Sequence, residues 1–151
     1  MSENPAFLPS RNRMVVAILA LLGLFIALYM LAYAVGLTGP VICGIGNCEA
    51  VQSSSYARIG PMPVAVFGVA GYMALMFVSF VGLQPATARL RFVPVSLLVG
   101  SGFGLLFSGY LTYLEAYVIH AWCQWCVASA IIMLLICMAI LPEFKRLGET
   151  E

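Results

Sequence analysis

The sequence predicts an all-α membrane protein, a four-transmembrane-helix bundle with a long outer loop between helices 1 and 2. Hydrophobic residues make up 63% of the 151-residue chain and charged residues only 9%, far from the composition of a soluble domain. The charges leave four long uncharged runs, and a helix of about 20 apolar residues crosses a membrane. The predicted spans are residues 14–36, 64–83, 92–113 and 126–141.

Helices are the expected form of these spans because backbone groups in lipid must be hydrogen-bonded within their own segment. Arg11 and Arg13 precede the first span, as basic residues precede the core of a signal peptide. Its apolar stretch is much longer than the roughly 7 to 15 residues of such a core, and no small-residue cleavage site follows. We therefore expect a retained helix, with residues 14–142 as the membrane domain between tails at 1–13 and 143–151.

The basic residues predict the orientation, because positively charged segments stay on the cytoplasmic side. Both tails are then cytoplasmic, and the protein is a multi-pass protein of the plasma (inner) membrane. The outer loop, residues 37–63, and the turn around His120 face the periplasm or exterior. Only Arg58 lies on that side, and the net charge of +1 gives no sign of nucleic-acid binding. The six basic residues on the inner side are Arg11, Arg13, Arg89, Arg91, Lys145 and Arg146.

The outer loop is the one long stretch expected to lack transmembrane helix. Gly39 and Pro40 mark a turn near its start, and Pro63 marks the entry to the second span. Residues 49–58 between them are expected to form a short helix along the membrane surface.

Four of the five cysteines form two pairs that the predicted topology places on the same outer side. Cys43 and Cys48 form a C-x4-C pair in the loop, and Cys123 and Cys126 form a C-Q-W-C motif at the outer end of the last span. An oxidising compartment permits disulfides, whereas cytoplasmic cysteines are kept reduced. The placement therefore indicates redox chemistry.

The Cys-x-x-Cys spacing places two sulfurs about one helical turn apart, close enough to interconvert between dithiol and disulfide. The start of a helix stabilises a thiolate, which is the reactive species in thiol–disulfide exchange. A flexible loop pair can exchange with a soluble partner on one side and with the helix pair on the other. Two such pairs in series predict an electron relay.

A relay of thiols needs a terminal acceptor, and a cysteine pair at the membrane boundary can reach a lipid-soluble quinone, either ubiquinone or menaquinone. Aromatic residues near that point are candidates to line its ring. For any single one of them, an interfacial aromatic belt, found at this depth in any membrane protein, is the favoured explanation. The candidates are Phe67, Tyr72, Trp122 and Trp125, with Tyr113 and Tyr117 nearby.

These motifs resemble the vitamin K epoxide reductase family from the first span to the end of the last. The order of the pairs is the specific feature, since enzymes of the DsbB type place the Cys-x-x-Cys before their looped pair. The matching motifs are Cys43-Gly-Ile-Gly-Asn-Cys48, Val51-Gln-Ser-Ser-Ser, Pro63-Val-Ala-Val-Phe-Gly68, Tyr113-Leu-Glu115 and Cys123-Gln-Trp-Cys126.

The resemblance implies a four-helix bundle around a quinone. Cys123 and Cys126 would be the redox centre, with Cys126 nearest the quinone, while Cys48 would exchange with Cys123 and Cys43 with the partner; the reverse order of the loop cysteines stays open. The family's functional serine falls on Ser54, between Ser53 and Ser55, with a hydrogen bond to a quinone oxygen as its implied role. A hydroxyl that caps a short helix is the alternative.

Two departures from the family limit what the resemblance implies. Many bacterial relatives continue into a fused thioredoxin-like domain, whereas this chain stops shortly after Pro142, so the expected partner is a separate, secreted DsbA-like thioredoxin-fold protein. Val64 and Ala130 stand where the animal epoxide reductases have an asparagine and a tyrosine. Epoxide reduction is therefore not expected.

Three single residues have competing interpretations. Cys137, inside the last span, is expected to be an apolar packing residue. His120, in the outer turn, could favour a thiolate at Cys123 or simply be exposed. Glu115 is more suggestive because a carboxylate inside a membrane is costly, and it could either take up protons or pair with Arg58.

Two other classes of function compete with the relay. Four cysteines in two pairs could form a zinc site in a cysteine-ligated metal-binding membrane protein. The cysteines could also form purely structural disulfides. The oxidising side of the membrane and the glycine-rich loop favour the redox interpretation over the metal site.

Overall fold

The computed structural model describes the backbone of residues 7–149 and the side chains from Arg11 onwards. The described residues form five α-helices joined by short connecting elements. A small β-hairpin, made of two strands of two residues each, lies between the second and third helices. The elements are α1 (Phe7–Ala34), α2 (Cys48–Ser53), a 3-10 turn (Ser55–Ala57), β1 (Arg58–Ile59), β2 (Met62–Pro63), α3 (Val64–Leu83), α4 (Phe92–Tyr113), a π-helical segment (Leu114–Ile119) and α5 (Gln124–Glu149).

Four of the described helices are long and apolar enough to cross a membrane, which confirms the predicted fold class. Many of their large apolar side chains are exposed, for example Phe25, Phe77 and Leu106. Such a surface suits lipid, because lipid tails and not water surround the helices of a membrane protein. The candidate spans are Arg11–Ala34, Val64–Leu83, Phe92–Ile119 and Gln124–Glu149.

The ends of the helices differ from the sequence prediction. The expected surface helix at 49–58 is instead α2 followed by a single 3-10 turn, and the third span continues beyond Tyr113 as the π-helical segment. Helix α5 runs eight residues past the expected end at Leu141, through Pro142. The predicted tail at 143–151 is therefore helical as far as the structure describes it, to Glu149, and residues 7–13 of the predicted N-terminal tail belong to α1.

The four long helices neighbour one another in the order α1, α3, α4 and α5, and α5 packs back on α1 to close the ring. Small residues let the helices approach closely where lipid provides no hydrophobic drive for association. Gly23 of α1 lies directly against the ring of Tyr72 on α3, where any Cβ atom would collide with it. The Tyr72 hydroxyl donates to the carbonyl of Ser129 at 2.9 Å, which connects α3 to α5.

A buried ion pair joins the helices at one end of the bundle. We label this end, which holds Arg13 and Glu143, the inner end after the topology predicted from the sequence, and the opposite end the outer end. Arg13 and Glu143 are 3% and 7% exposed, and the guanidinium donates two hydrogen bonds to one carboxylate oxygen. Arg13 also donates to the carbonyls of Gly82 at 2.6 Å and Ala88 at 2.9 Å. The first is a carbonyl of the last turn of α3, which lacks an intrahelical partner. We call this cluster the inner clasp; it ties the part of α5 beyond Pro142 to α1.

Removal of one partner from the inner clasp should leave the other charge buried and uncompensated. Glu143→Ala is expected to lower the free energy of unfolding by about 3 kcal/mol, the cost typical of breaking a buried pair. Denaturant unfolding in detergent micelles, followed by circular dichroism, measures the change. Glu149→Ala, which removes an exposed carboxylate from the same helix, is the control, and equal stability of the two variants would contradict a stabilising clasp.

Candidate active site

The segment after α1 folds back over the outer end of the bundle. The hydroxyl oxygen of Tyr29 on α1 accepts the N–H of Ile42 at 3.0 Å. Beyond it, the side chain of Asn47 caps α2 by accepting the N–H of Ala50 at 3.0 Å. Residues 42–48, which we call the cysteine loop, are therefore anchored at both ends.

The cysteine loop pairs with the chain just before α5. Gly46 and Cys123 form an isolated antiparallel bridge, and the N–H of Asn47 donates to the carbonyl of Trp122 at 2.8 Å. Gly46 has a φ of +91°, a conformation that L side chains rarely adopt, and a Cβ atom there would collide with the Trp122 carbonyl. Glycine at position 46 is therefore required for this pairing.

Gln124, between Cys123 and Cys126, binds the backbone of the cysteine loop. Its side-chain oxygen Oε1 accepts the N–H of Gly44 at 3.0 Å and that of Ile45 at 2.9 Å. One carboxamide thus holds two consecutive amides that follow Cys43.

Trp125, the other residue between the two helix cysteines, binds the loop on the opposite side of Cys43. Its indole Nε1 donates to the carbonyl of Ile42 at 2.8 Å, and its ring packs edge-on against Tyr29 with ring centroids 5.2 Å apart. The two middle residues of the C-Q-W-C motif therefore hold the cysteine loop over the two cysteines of the same motif.

The four cysteines lie in one cluster at the outer end of the bundle. Cys43 and Cys48 are joined by a disulfide with their Cα atoms 5.9 Å apart, whereas Cys123 and Cys126 are free thiols. Cys48 and Cys123 are fully buried in the same apolar cluster, and Cys43 and Cys126 pack against its edge. Both pairs are thus within one small volume, with the loop pair oxidised and the helix pair reduced.

A cavity of about 670 Å³ extends from this cluster into the bundle between α1, α3, α4 and α5. Its lining is mostly apolar, with a few polar groups near the outer end, which is the usual composition of a site for an apolar ligand. Cys126 lines it, as do four of the five residues predicted to contact a quinone: Ser54, Phe67, Tyr72 and Trp125.

Residues 14–141 match the family model described as the vitamin K epoxide reductase family. The chain belongs to this family. The match covers all four membrane helices and both cysteine pairs, and it confirms the resemblance found in the sequence motifs. A member of the vitamin K epoxide reductase family with this architecture is a multi-pass membrane protein and an oxidoreductase of thiols.

Trp122 is the predicted quinone contact that the structure does not place at the cavity. Its side chain is 48% exposed and is not among the described lining residues, while its backbone carbonyl holds the cysteine loop. Tyr113 and Tyr117 are also exposed and face each other, with ring centroids 5.3 Å apart. An aromatic belt suits these three residues better than a ligand site.

Ser54 is the one serine of the Ser53–Ser54–Ser55 run that lines the cavity of this family member. Its hydroxyl donates to the carbonyl of Val51 at 2.7 Å and so caps the end of α2. The oxygen keeps its capacity to accept a hydrogen bond, so the capping interpretation and a ligand contact are compatible.

Of the two roles considered for Glu115, pairing with Arg58 is not found in the structure. Arg58 donates instead to the carbonyl of Ala34 at 3.2 Å, and Glu115 is buried, where its Oε2 accepts the N–H of Cys123 at 3.1 Å. Glu115 belongs to the π-helical segment Leu114–Ile119 and lines the cavity, whereas Arg58 lies on the connection between α2 and α3. His120 closes this segment with a φ of 55° and is exposed.

The environment of Cys123 favours its thiolate. The hydrogen bond from the Cys126 thiol is the largest effect, and with the N–H groups of Cys126 and Trp125 it lowers the pKa of Cys123 from 9.0 to about 7 against the opposing effects of burial and Glu115. The direction agrees with the effect expected at the start of a helix. Cys123 is therefore a thiolate in a large fraction of molecules at neutral pH.

Gln52 and Gln124 are site residues that the sequence analysis did not identify. Gln52 donates from Nε2 to the sulfur of Cys126 at 3.6 Å and lines the cavity. The position of Gln124 inside the C-x-x-C motif was the available signal for its role. The signal for Gln52 was weaker: it directly precedes the three serines of the family motif.

Loss of the Cys126 thiol should raise the pKa of Cys123. In a Cys137→Ala background with the loop disulfide intact, the ultraviolet absorbance of thiolate is expected to rise with a midpoint near pH 7. Adding Cys126→Ala should move that midpoint upward toward 9.0, the ordinary value of a cysteine, because the largest stabilising contact of the thiolate is gone. An unchanged midpoint would mean that Cys126 does not tune Cys123.

Proposed function

We propose that this protein reoxidises a secreted thioredoxin-fold protein of the DsbA-like kind and passes the electrons through two cysteine pairs to a membrane quinone. The observation that carries the proposal is the cluster of four cysteines, one of which, Cys126, lines a largely apolar cavity within the bundle. The result of each cycle is one disulfide in the partner, which supports disulfide formation outside the cytoplasm.

The first step is thiol–disulfide exchange between the partner and the loop disulfide. Cys43 is partly exposed and Cys48 fully buried, so an incoming thiolate reaches Cys43 more readily. Attack on its sulfur forms a mixed disulfide and releases Cys48 as the leaving thiolate; a second thiol of the partner then releases Cys43. Ile42 and Ile45, which flank Cys43, are 75% and 79% exposed and offer apolar contacts to the partner.

The second step transfers the electron pair from the loop cysteines to an oxidised Cys123–Cys126 pair. Cys48 and Cys123 share one buried apolar cluster, which supports exchange between these two residues. Gln124 and Trp125 keep the loop on top of the helix pair, so the exchange needs little movement of the chain. The redox state in the structure, with the loop pair oxidised and the helix pair reduced, corresponds to the stage after this transfer.

The cavity fits the ring of a quinone, either ubiquinone or menaquinone. Phe67 and Tyr72 provide apolar walls, Trp125 closes the outer end, and Ser54 and Gln52 supply polar atoms near Cys126. A bound quinone supplies a two-electron acceptor that leaves as quinol into the lipid. The protein residues exclude water from Cys126 and hold its sulfur at the edge of the cavity.

The orientation proposed for the chain follows the positive-inside rule. All four relay cysteines lie at the opposite end of the bundle from the inner clasp of Arg13 and Glu143. With the basic tails in the cytoplasm, the cysteines face the periplasm or exterior, where the partner is secreted.

The alternative of a cysteine-ligated metal site has less support. In the part of the chain that the structure describes, no group of three or more histidine, cysteine, aspartate or glutamate side chains is placed to hold one ion. Stoichiometric zinc in the purified protein, lost on substitution of Cys43 and Cys123, would overturn the relay.

The relay predicts quinone reduction that depends on Cys126. Purified protein mixed with a reduced DsbA-like protein and a short-chain ubiquinone or menaquinone analogue is expected to consume the quinone, measured by its absorbance. Cys126→Ala should reduce the rate to background, whereas Cys137→Ala, a control in the same helix, should retain it. Normal turnover by Cys126→Ala would contradict the relay.

The order of the loop cysteines makes a separate prediction. Cys43→Ala should abolish quinone reduction driven by the partner but retain reduction driven by dithiothreitol, which is small enough to reduce the helix pair directly. The comparison uses the same absorbance assay with the two reductants. Because a lone Cys48 cannot form the loop disulfide, retained turnover with the partner would contradict the relay. Trapping tests the order itself: a disulfide-linked complex with the partner should form in Cys48→Ala, and a complex that formed only in Cys43→Ala would assign the attack to Cys48.

A further inference from the structure

Glu115 is an unusual neighbour for an apolar ligand. It is 2% exposed, and it is the one carboxylic acid among the described residues that line the cavity. That lining contains no arginine, lysine or histidine among the described residues. A carboxylate kept at such a depth without a cation is costly, and intramembrane acids of this kind commonly take part in proton transfer.

The contacts of Glu115 are with the redox centre itself. Its Oε2 accepts the N–H of Cys123 at 3.1 Å, and its carboxyl group also interacts with the thiol of Cys126. The amide of Gln52 also donates to the sulfur of Cys126 at 3.6 Å. The Cys126 sulfur therefore has as neighbours both a hydrogen-bond donor and a group that can accept its proton.

The other titratable groups at the cavity are less suited to this task. Tyr72 is engaged with Ser129 through hydrogen bonds to both its carbonyl and its hydroxyl, at 2.9 and 2.8 Å. Tyr56 is 46% exposed and lies on the outer connection, and none of the described contacts joins it to either helix cysteine. Glu115 is the described acid–base group that lines the cavity and is also hydrogen-bonded to the C-Q-W-C motif.

We propose that Glu115 is the proton-transfer residue of the site, which takes the proton from the sulfur of Cys126 and delivers it to the quinone oxygen in the cavity. The inference rests on the proposed function and adds a catalytic residue to it. It also gives the buried carboxyl group a role that its contact with the Cys123 amide does not require, because a glutamine would accept that hydrogen bond equally well.

The balance of the step is that of dithiol oxidation by a quinone. The S–H bond of Cys126 breaks and a bond forms between the sulfurs of Cys123 and Cys126, so the pair loses two electrons. The quinone gains both electrons and two protons and becomes quinol. One proton comes from Cys126 through Glu115; the second comes from solvent, to which Cys123 has already released its own proton as a thiolate.

Glu115→Gln removes the ability to take up a proton but keeps an oxygen that can accept the hydrogen bond from the Cys123 N–H. With dithiothreitol as reductant and a short-chain ubiquinone as acceptor, we expect the turnover rate to fall by about 100-fold, the lower range for loss of a general acid–base group. Glu115→Asp should recover part of the rate. Glu149→Gln, an exposed glutamate at the other end of the protein, is the matched control.

A second measurement uses the protein without quinone. Oxidation of the helix pair with a chemical disulfide-forming oxidant should change the carboxyl bands of the infrared difference spectrum, because Glu115 changes its protonation or hydrogen bonding when the Cys126 proton leaves. The band should shift in deuterium oxide and be missing in Glu115→Gln but present in Glu149→Gln. Disulfide formation itself, measured by loss of free thiols, should proceed to completion in all variants.

The outcomes separate the two proposals. Wild-type turnover by Glu115→Gln, or a carboxyl band that survives in it, would overturn the role of Glu115 and leave the relay intact. An equal loss in Glu115→Gln and Glu115→Asp without any carboxyl band would show a packing role only. Absence of quinone reduction in the wild-type protein would overturn the relay and Glu115's role with it.

Discussion

A short set of hydrogen bonds between the cysteine loop and the start of α5 is the constraint on which the site depends. Gln124 binds the amides after Cys43, and Trp125 binds the carbonyl before it. The loop has little apolar surface of its own with which to pack on the bundle, since its isoleucines are exposed. Together with the backbone pairing of Gly46 and Asn47 to the chain around Cys123, these polar contacts fix the position of Cys48 relative to Cys123.

The two ends of the bundle are stabilised in different ways, and each way suits its task. The inner clasp is a buried ion pair that ties helix ends together, and it has no described connection to the cavity. The outer end is held by hydrogen bonds to backbone atoms of a loop that must exchange disulfides. Hydrogen bonds of that kind contribute about 1 kcal/mol each and can break locally. Breaking the ion pair of the clasp would leave a buried charge without its partner, which costs more.

The fold and the redox cysteines were predictable because they depend on composition and spacing. Uncharged runs of sufficient length specify helices in lipid wherever they occur, and the order of the cysteine pairs identified the family. Burial of Arg13 and the continuation of α5 past Pro142 were not predictable, since each depends on a partner far away in the sequence. The π-helical form of Leu114–Ile119, the segment that contains Glu115, is also not marked by any residue pattern.

The π-helical segment Leu114–Ile119 makes the site sensitive to the length of the connection between α4 and α5. A π-helical turn is equivalent to one residue inserted into an α-helix, and each residue of an α-helix turns the following side chains by about 100°. Deletion of a single residue from the segment would restore a regular helix and rotate the chain that leads to Cys123. The length of this turn, and not only its composition, therefore sets the direction from which the C-Q-W-C motif meets the cysteine loop.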